Sequence, residues 1–296
     1  MIALVMSVSL PMTTYAANWY LEDGSVTVNA DNSGQTVTQG SGSAVPDEAP
    51  VITQRNSSAE TSNTITINAS ENATANVTIS NVNIDTSGAA VSTGGKGNVN
   101  IELDGTNTLK SGRYHAGLEK SQDGKLTITD ENANGKLIAT GGDYGAGIGG
   151  DDQGNGKNIT ITGGEVTAAG GTNGAGIGGG LRKEGEKITV SGDATLKVQG
   201  GLTDEWDGAG AGIGNGGSHN GDFSGSFTPV NGAETEPDTS NLTTGKIEYY
   251  APGADMTKDE PTSTILGSGQ PISPGETAAP VEYRMQTSAS EPVQGN

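Results

Sequence analysis

Four short stretches of this 296-residue chain concentrate the side chains able to do chemistry: Arg113-Tyr114-His115, Asp143-Tyr144, Thr172-Asn173 and Asp204-Glu205-Trp206-Asp207. Each stands just ahead of a glycine-dense phrase that the chain writes again and again. The copies are RYHAGLEK from Arg113, GDYGAGIGG over 142–150, TNGAGIGGG over 172–180 and DGAGAGIGN over 207–215. An aromatic ring beside carboxylates, amides and a guanidinium suits a sugar: pyranose C–H faces pack on the ring while hydroxyls exchange hydrogen bonds with polar neighbours. Tyr114, Asp143, Tyr144, Asn173, Glu205, Trp206 and Asp207 are therefore the candidate ligand-binding residues. An alternative use for the same rings is to shield glycine-rich backbone from water.

Other chemistries find weaker support. Polysaccharide cleavage needs two carboxylates facing one cleft, or an acidic Ca²⁺ site beside a base. Asp151 with Asp152, Asp204 with Asp207, and Glu205 supply the acids, but acidic doublets in polar loops of an acidic chain usually just face solvent, and a non-catalytic protein is expected. His115 and His219 are the two histidines, and with no cysteine they leave no zinc-ligand spacing. GNGGSHNGDF (214–223) approximates a GGxGxD calcium turn with the spacing one residue off, so Asp222 is the sole Ca²⁺ candidate and no other cofactor is expected. The glycine phrase does not follow a strand and open a helix, so it reads as corner architecture rather than a phosphate cradle.

What must position these residues is a repeat. Gly117, Gly147, Gly176 and Gly212, the central glycines of the phrase, recur at spacings of 30, 29 and 36 residues, and AAV at 89–91 reads as a still earlier copy. Each unit opens on a short alternating strand such as VTIS (77–80), VNIE (99–102), LTIT (126–129), ITIT (159–162) or ITVS (188–191). A corner and a second strand follow: NTLKSG (107–112), KLIATGG (136–142), EVTAAGG (165–171) or TLKVQGG (195–201). Period-two alternation of Ile, Leu and Val with Thr and Asn, at a repeat of about thirty residues and without Leu-rich helical stretches, predicts an all-β parallel β-helix. Leu118, Ile148, Ile177 and Ile213 should stack inward on successive rungs, and Tyr114 should neighbour Tyr144.

The run NTITINASENATANVTISNVNIDTSGAA, with VNIELDGTNTLKSGRYHAGLE, KLIATGGDYGAGIGG and ITITGGEVTAAGGTNGAGIGGG after it, resembles the glycine-rich repeat of exported Firmicutes surface proteins labelled carbohydrate-binding domain-containing. The resemblance covers roughly residues 50–217. It implies a right-handed, pectin-lyase-like β-helix with an extracellular binding or adhesive role, and it carries no catalytic motif.

Composition agrees with an extended rather than a thick-cored molecule. With 49 Gly, 11 Pro, 2 Phe and 2 Trp there is little aromatic material for a single globular core. A surplus of 35 acidic over 15 basic residues, net −20, repels phosphate backbones and anionic headgroups, so neither nucleic acid nor an anionic membrane surface is an expected partner. No segment beyond the leader is long and apolar enough for a membrane helix.

Residues 1–17 read as a secretory signal peptide cut after Ala16 or Ala17, truncated at its basic start, so a secreted or cell-surface location is expected. Residues 18–50 hold one strand phrase, SVTVNA, and a Gly/Ser/Pro-rich linker or cap. Residues 51–227 are the repeat domain. The stretch 228–296, with eight of the eleven prolines, reads as a mostly extended or disordered tail in which only KIEYYAPG (246–253) looks like a strand. The expected function is multivalent glycan binding by a monomer; the competing expectations are a rigid spacer or adhesin scaffold, and a β-helical lyase or hydrolase.

Overall fold

The computed structural model describes residues 17–121, 123–221 and 228–269 and the backbone of the strand Met285–Thr287. The expected leader lies largely, and Asp222 wholly, outside the described residues. Among the described residues there is no α-helix, only a single 3₁₀ turn at Leu21–Asp23.

The chain coils through three parallel sheets in a fixed rotation, for about six turns. The first sheet stacks Asn18–Tyr20, Val51–Thr53, Thr74–Ser80, Asn98–Asp104, Leu126–Thr129, Gly156–Ile161 and Gly185–Val190. The second stacks Asn83–Asp85, Thr106–Lys110, Lys136–Thr140, Glu165–Ala169, Thr195–Gln199 and Lys246–Tyr250. The third holds Val26–Asp31, Ile65–Ala69, Val91–Gly95 and Leu118–Lys120, then the two-residue strands Ile148–Gly149, Ile177–Gly178 and Ile213–Gly214 that come from the repeated phrase. The all-β parallel solenoid expected from the alternation is the fold.

Period-two alternation builds the core directly. In the first sheet Ile101, Ile128, Ile161 and Val190 stand in register and are fully buried. In the third, Val91, Leu118, Ile148, Ile177 and Ile213 form the ladder that the phrase spacing predicts, also fully buried. Each such side chain contributes roughly 1.5–3 kcal/mol by leaving water. Asn107 breaks the apolar column of the second sheet yet is buried without penalty: its amide donates to the carbonyls of Asp104 and Lys136, and its Oδ1 accepts from Val82 N. The outward alternates pair in their own ladders, Asn68 Nδ2 to Asn29 Oδ1 at 3.0 Å and Asn100 Nδ2 to Asn76 Oδ1 at 2.9 Å.

Both ends of the described solenoid are capped. At the start, Gly34–Gln39 turns back antiparallel on Val26–Asp31 and Val45–Pro46 turns back antiparallel on Gly34–Gln39, and the buried Asp47 accepts Trp19 Nε1 at 2.9 Å, so the Gly/Ser/Pro-rich stretch is a cap and not a linker. At the other end, residues 228–269 of the stretch read as mostly extended or disordered pack on the solenoid. Lys246–Tyr250 extends the second sheet, with Ser263–Leu266 antiparallel on it, and Asp238 and Leu242 bridge to Thr189 and Gly192. Glu234 sends both carboxylate oxygens to the last rung of the third sheet, accepting Gly212 N at 2.7 Å and Ile213 N at 3.0 Å. Such a segment works by satisfying strand-edge backbone, so it needs few apolar residues, and its proline-rich composition disguised it.

Candidate functional site

The glycine phrase forms the corner between the second and third sheets. There, backbone lies on backbone: a Cβ on Gly142 would meet Gly112 O at 1.9 Å, and one on Gly171 would meet Gly142 O at 1.9 Å. The same hydrogen bond repeats up this corner, from Tyr114 N to Asp143 O at 2.8 Å, Tyr144 N to Thr172 O at 2.8 Å and Asn173 N to Leu202 O at 2.9 Å. This ladder sets the register. Arg113, Asp143, Thr172 and Leu202 fall in one column, and Tyr114, Tyr144, Asn173 and Thr203 in the next.

In that second column the backbone is left-handed, with φ of 77° at Tyr114, 75° at Tyr144 and 63° at Asn173. Asn enters this region easily, whereas a residue with a full side chain pays about 1–2 kcal/mol. The expected positive φ of flanking glycines is met after the isoleucines, at Gly149, Gly178 and Gly214. Ahead of the phrase it falls on Tyr114, Tyr144 and Asn173 instead.

The two rings stack on neighbouring rungs, with centroids 5.7 Å apart and planes 27° from parallel. The Arg113 guanidinium lies 4.6 Å from the Tyr114 centroid and 5.2 Å from that of Tyr144, and its Nη2 donates to the Tyr144 hydroxyl at 3.4 Å. Stacking of this kind stabilises by about 0.5–1.5 kcal/mol and an exposed cation over a ring by about 0.5–1 kcal/mol, which offsets the backbone strain. Tyr114 remains 45% exposed. Asp143 is exposed and accepts the Thr172 hydroxyl at 2.8 Å.

Acidic and basic groups flank the rings. His115 Nδ1 sits 2.8 Å from Glu119 Oε2. Burial pushes the Glu119 carboxyl above its ordinary range, His115 opposes the rise, and the nearby Asp151 adds to it. Asp152 N donates to Tyr114 O at 2.9 Å, bringing the loop of Asp151 and Asp152 against this corner.

One rung past Asn173 the chain departs from its repeat. Gly201 stacks on Gly171 and Gly210 on Gly174, so residues 203–209 stand where the preceding rung has Asn173 alone. This insertion accounts for the 36-residue spacing, and it moves Trp206 off the tyrosine position. Trp206 precedes its glycine phrase as the tyrosines precede theirs, but only Tyr114 and Tyr144 occupy equivalent corner positions. Trp206 sits instead in the inserted loop, 51% exposed, next to the exposed Glu205 in the chain, and Leu202 at the start of the loop is 54% exposed.

The structure also reassigns Asn173 and Asp207, both candidate ligand residues. Asn173 is fully buried, its Nδ2 donating to Asp207 O at 2.9 Å and Gly208 O at 2.8 Å, while its Oδ1 has no hydrogen-bond partner. Asp207 is 2% exposed and held by Arg182 Nε at 2.8 Å, Arg182 Nη2 at 2.6 Å and His219 Nδ1 at 2.9 Å. Burial pushes its carboxyl up, but the bonds from Arg182 and His219 outweigh that and hold it below the usual carboxylate range. Asp204 Oδ1 accepts Trp206 N at 2.8 Å and Asp207 N at 2.7 Å. Asn173, Asp204 and Asp207 therefore build the loop that presents Trp206, and Asp204 with Asp207 is no free carboxylate pair.

Arg182, Leu202 and Glu234 are the participants that sequence reasoning missed. Leu202 was within reach: aligning the units on their Gly-Gly pairs (141–142, 170–171, 200–201) puts it level with Asp143 and Thr172. Arg182 and Glu234 carry no local signal, because their partners are a rung away.

Two grooves, of about 460 Å³ over Asn76, Asn100 and Thr127 and about 210 Å³ over Asp130, Glu165 and Asp193, include none of the corner residues. Among the described residues no three His, Asp or Glu are grouped to hold a metal, and no helix is long and apolar enough to cross a membrane. No family model, curated protein or solved structure matches the chain. A functional reading must therefore come from the corner itself.

Proposed function

We propose that this protein is a non-catalytic carbohydrate-binding module of an exported or cell-surface protein, and that Tyr114, Tyr144, Arg113 and Asp143 form its binding site. The observation that carries this reading is the stacked tyrosine pair, Tyr114 exposed and Tyr144 half-buried, with a guanidinium across it, held on left-handed backbone where Asn serves the next rung. Strain of this kind concentrates at functional sites. The rings offer an apolar face to pyranose C–H groups, and Arg113, Asp143 and the tyrosine hydroxyls offer donors and acceptors around it. The scaffold fixes all four before a ligand arrives, which lowers the ordering cost of binding.

Binding is favoured over cleavage because the other acids at this corner are engaged within the protein, Glu119 by His115 and both Asp151 and Asp152 by Gln153. The export leader read from residues 1–17 and the resemblance of the repeat phrase point the same way. A stiff spacer is the second reading, favoured by the capping of both solenoid ends.

A glycan-array screen of the protein and its Tyr144→Ala variant separates the two. Selective binding by the parent that disappears in the variant supports the module. A blank array from folded protein supports the spacer.

A further inference from the structure

Trp206 belongs to the same corner as the tyrosines. The ladder Tyr114 N to Asp143 O, Tyr144 N to Thr172 O and Asn173 N to Leu202 O runs straight into the loop that carries it. Three rung steps at about 4.8 Å each span roughly 14 Å along the solenoid axis. The resulting strip presents Tyr114, Tyr144, the Asp143–Thr172 polar pair, then Leu202 and Trp206.

The loop is built to hold its tryptophan in place. Asn173 ties Asp207 and Gly208 at its end, Arg182 and His219 clamp Asp207, and Asp204 pins Trp206 N. A tryptophan whose backbone is fixed this way leaves less chain to order on binding.

We infer that the strip binds one linear, neutral polysaccharide chain lying parallel to the solenoid axis, with the tyrosine pair and Trp206 holding sugars at opposite ends of the bound segment. This rests on the carbohydrate-binding reading of the tyrosine site and extends it. The rung spacing is close to the length of one pyranose unit along an extended chain, so sugars and rungs keep step. Charge selects against polyanions: Asp143, Asp204 and Glu205 along the strip outnumber Arg113, and Arg182 is taken up by Asp207. In a chain of net charge −20, uronate-rich and sulfated glycans are repelled at long range as well.

The test is calorimetric titration of the whole chain with disaccharides and hexasaccharides of neutral β-linked glucan, xylan and mannan, and with a galacturonate hexasaccharide. Parent, Tyr144→Ala and Trp206→Ala proteins are compared. In the neutral series that binds, the hexasaccharide should bind at least tenfold more tightly than the disaccharide, and Trp206→Ala should abolish that gain. The galacturonate hexamer should bind at least tenfold more weakly than the neutral one. Equal affinity for both lengths, or a Trp206→Ala protein that keeps the gain, overturns the strip while a loss of disaccharide binding in Tyr144→Ala leaves the tyrosine site standing. A galacturonate hexamer that binds as tightly as the neutral one overturns the selectivity. No binding by any neutral series overturns the strip and the carbohydrate reading together.

Discussion

Arg182 grips Asp207 in a two-pronged ion pair, Nε to Oδ1 at 2.8 Å and Nη2 to Oδ2 at 2.6 Å, although 25 residues separate them in the chain. The pair joins the end of one corner to the loop on the next rung. Removing one partner of such a pair costs more than the pair itself contributes, because a buried charge is left behind. Arg182→Ala should therefore destabilise by about 1–3 kcal/mol, read as a lower urea midpoint, while Arg182→Lys should recover only part because it cannot reproduce the fork.

The same pair fixes an acid response. Asp207 has a folded pKa below its ordinary value of 3.8, so its stabilisation is present above about that pH and fades as pH falls through the lower folded value. With Trp19 replaced by Phe, the fluorescence of Trp206 should shift below pH 3.8 as the loop releases. In Asp207→Asn that acid step should be missing.

Glu234 predicts the opposite slope. Burial raises its carboxyl above the ordinary 4.5, against the pull of the Ile213 and Gly212 amides, so ionising it costs folded-state free energy. Its contribution is fullest below about pH 4.5 and declines as pH rises through the folded pKa. The difference in unfolding free energy between parent and Glu234→Gln should thus change across the range above pH 4.5. Glu234→Ala leaves two edge N–H groups without their acceptor and should cost about 1–3 kcal/mol; light scattering should also report end-to-end association through the uncovered edge.

Ile177 stands between Ile148 and Ile213 in the buried ladder. Ile177→Ala should cost about 2–5 kcal/mol by leaving a cavity, and Ile177→Asp should prevent folding by placing a charge there. Circular dichroism and thermal melting distinguish these from a mild effect, which would mean the ladder is not the core.

The fold was legible because alternation and corner spacing are local properties. VTIS, LTIT and ITIT name their inward faces, and four glycine markers count the rungs. What stayed hidden depends on contacts between rungs. Asn173 and Asp207 look like ligands in sequence because they are polar residues in a glycine-rich corner; only the insertion after Leu202, whose end Asn173 ties and whose Asp207 is gripped by Arg182 and His219, makes them structural. The capping role of 228–269 was hidden for a related reason, since a strand edge is satisfied by backbone and one carboxylate, neither of which leaves an apolar pattern. Tyr114 and Tyr144 were found from type and spacing, but their left-handed backbone was not foreseeable, because Gly is the residue expected at positive φ.

That strain yields the most direct measurement. Tyr144→Asn places at φ 75° the residue that the next rung carries at 63°, relieving the backbone while deleting the ring. Relief of about 1–2 kcal/mol nearly cancels the lost stacking of about 0.5–1.5 kcal/mol and the lost Arg113 contact of about 0.5–1 kcal/mol, so the melting temperature should stay within a few degrees of the parent's. Affinity for the glycan selected on the array should fall at least tenfold. A variant that melts normally and binds as well as the parent would contradict the assignment of the tyrosine corner as the carbohydrate site.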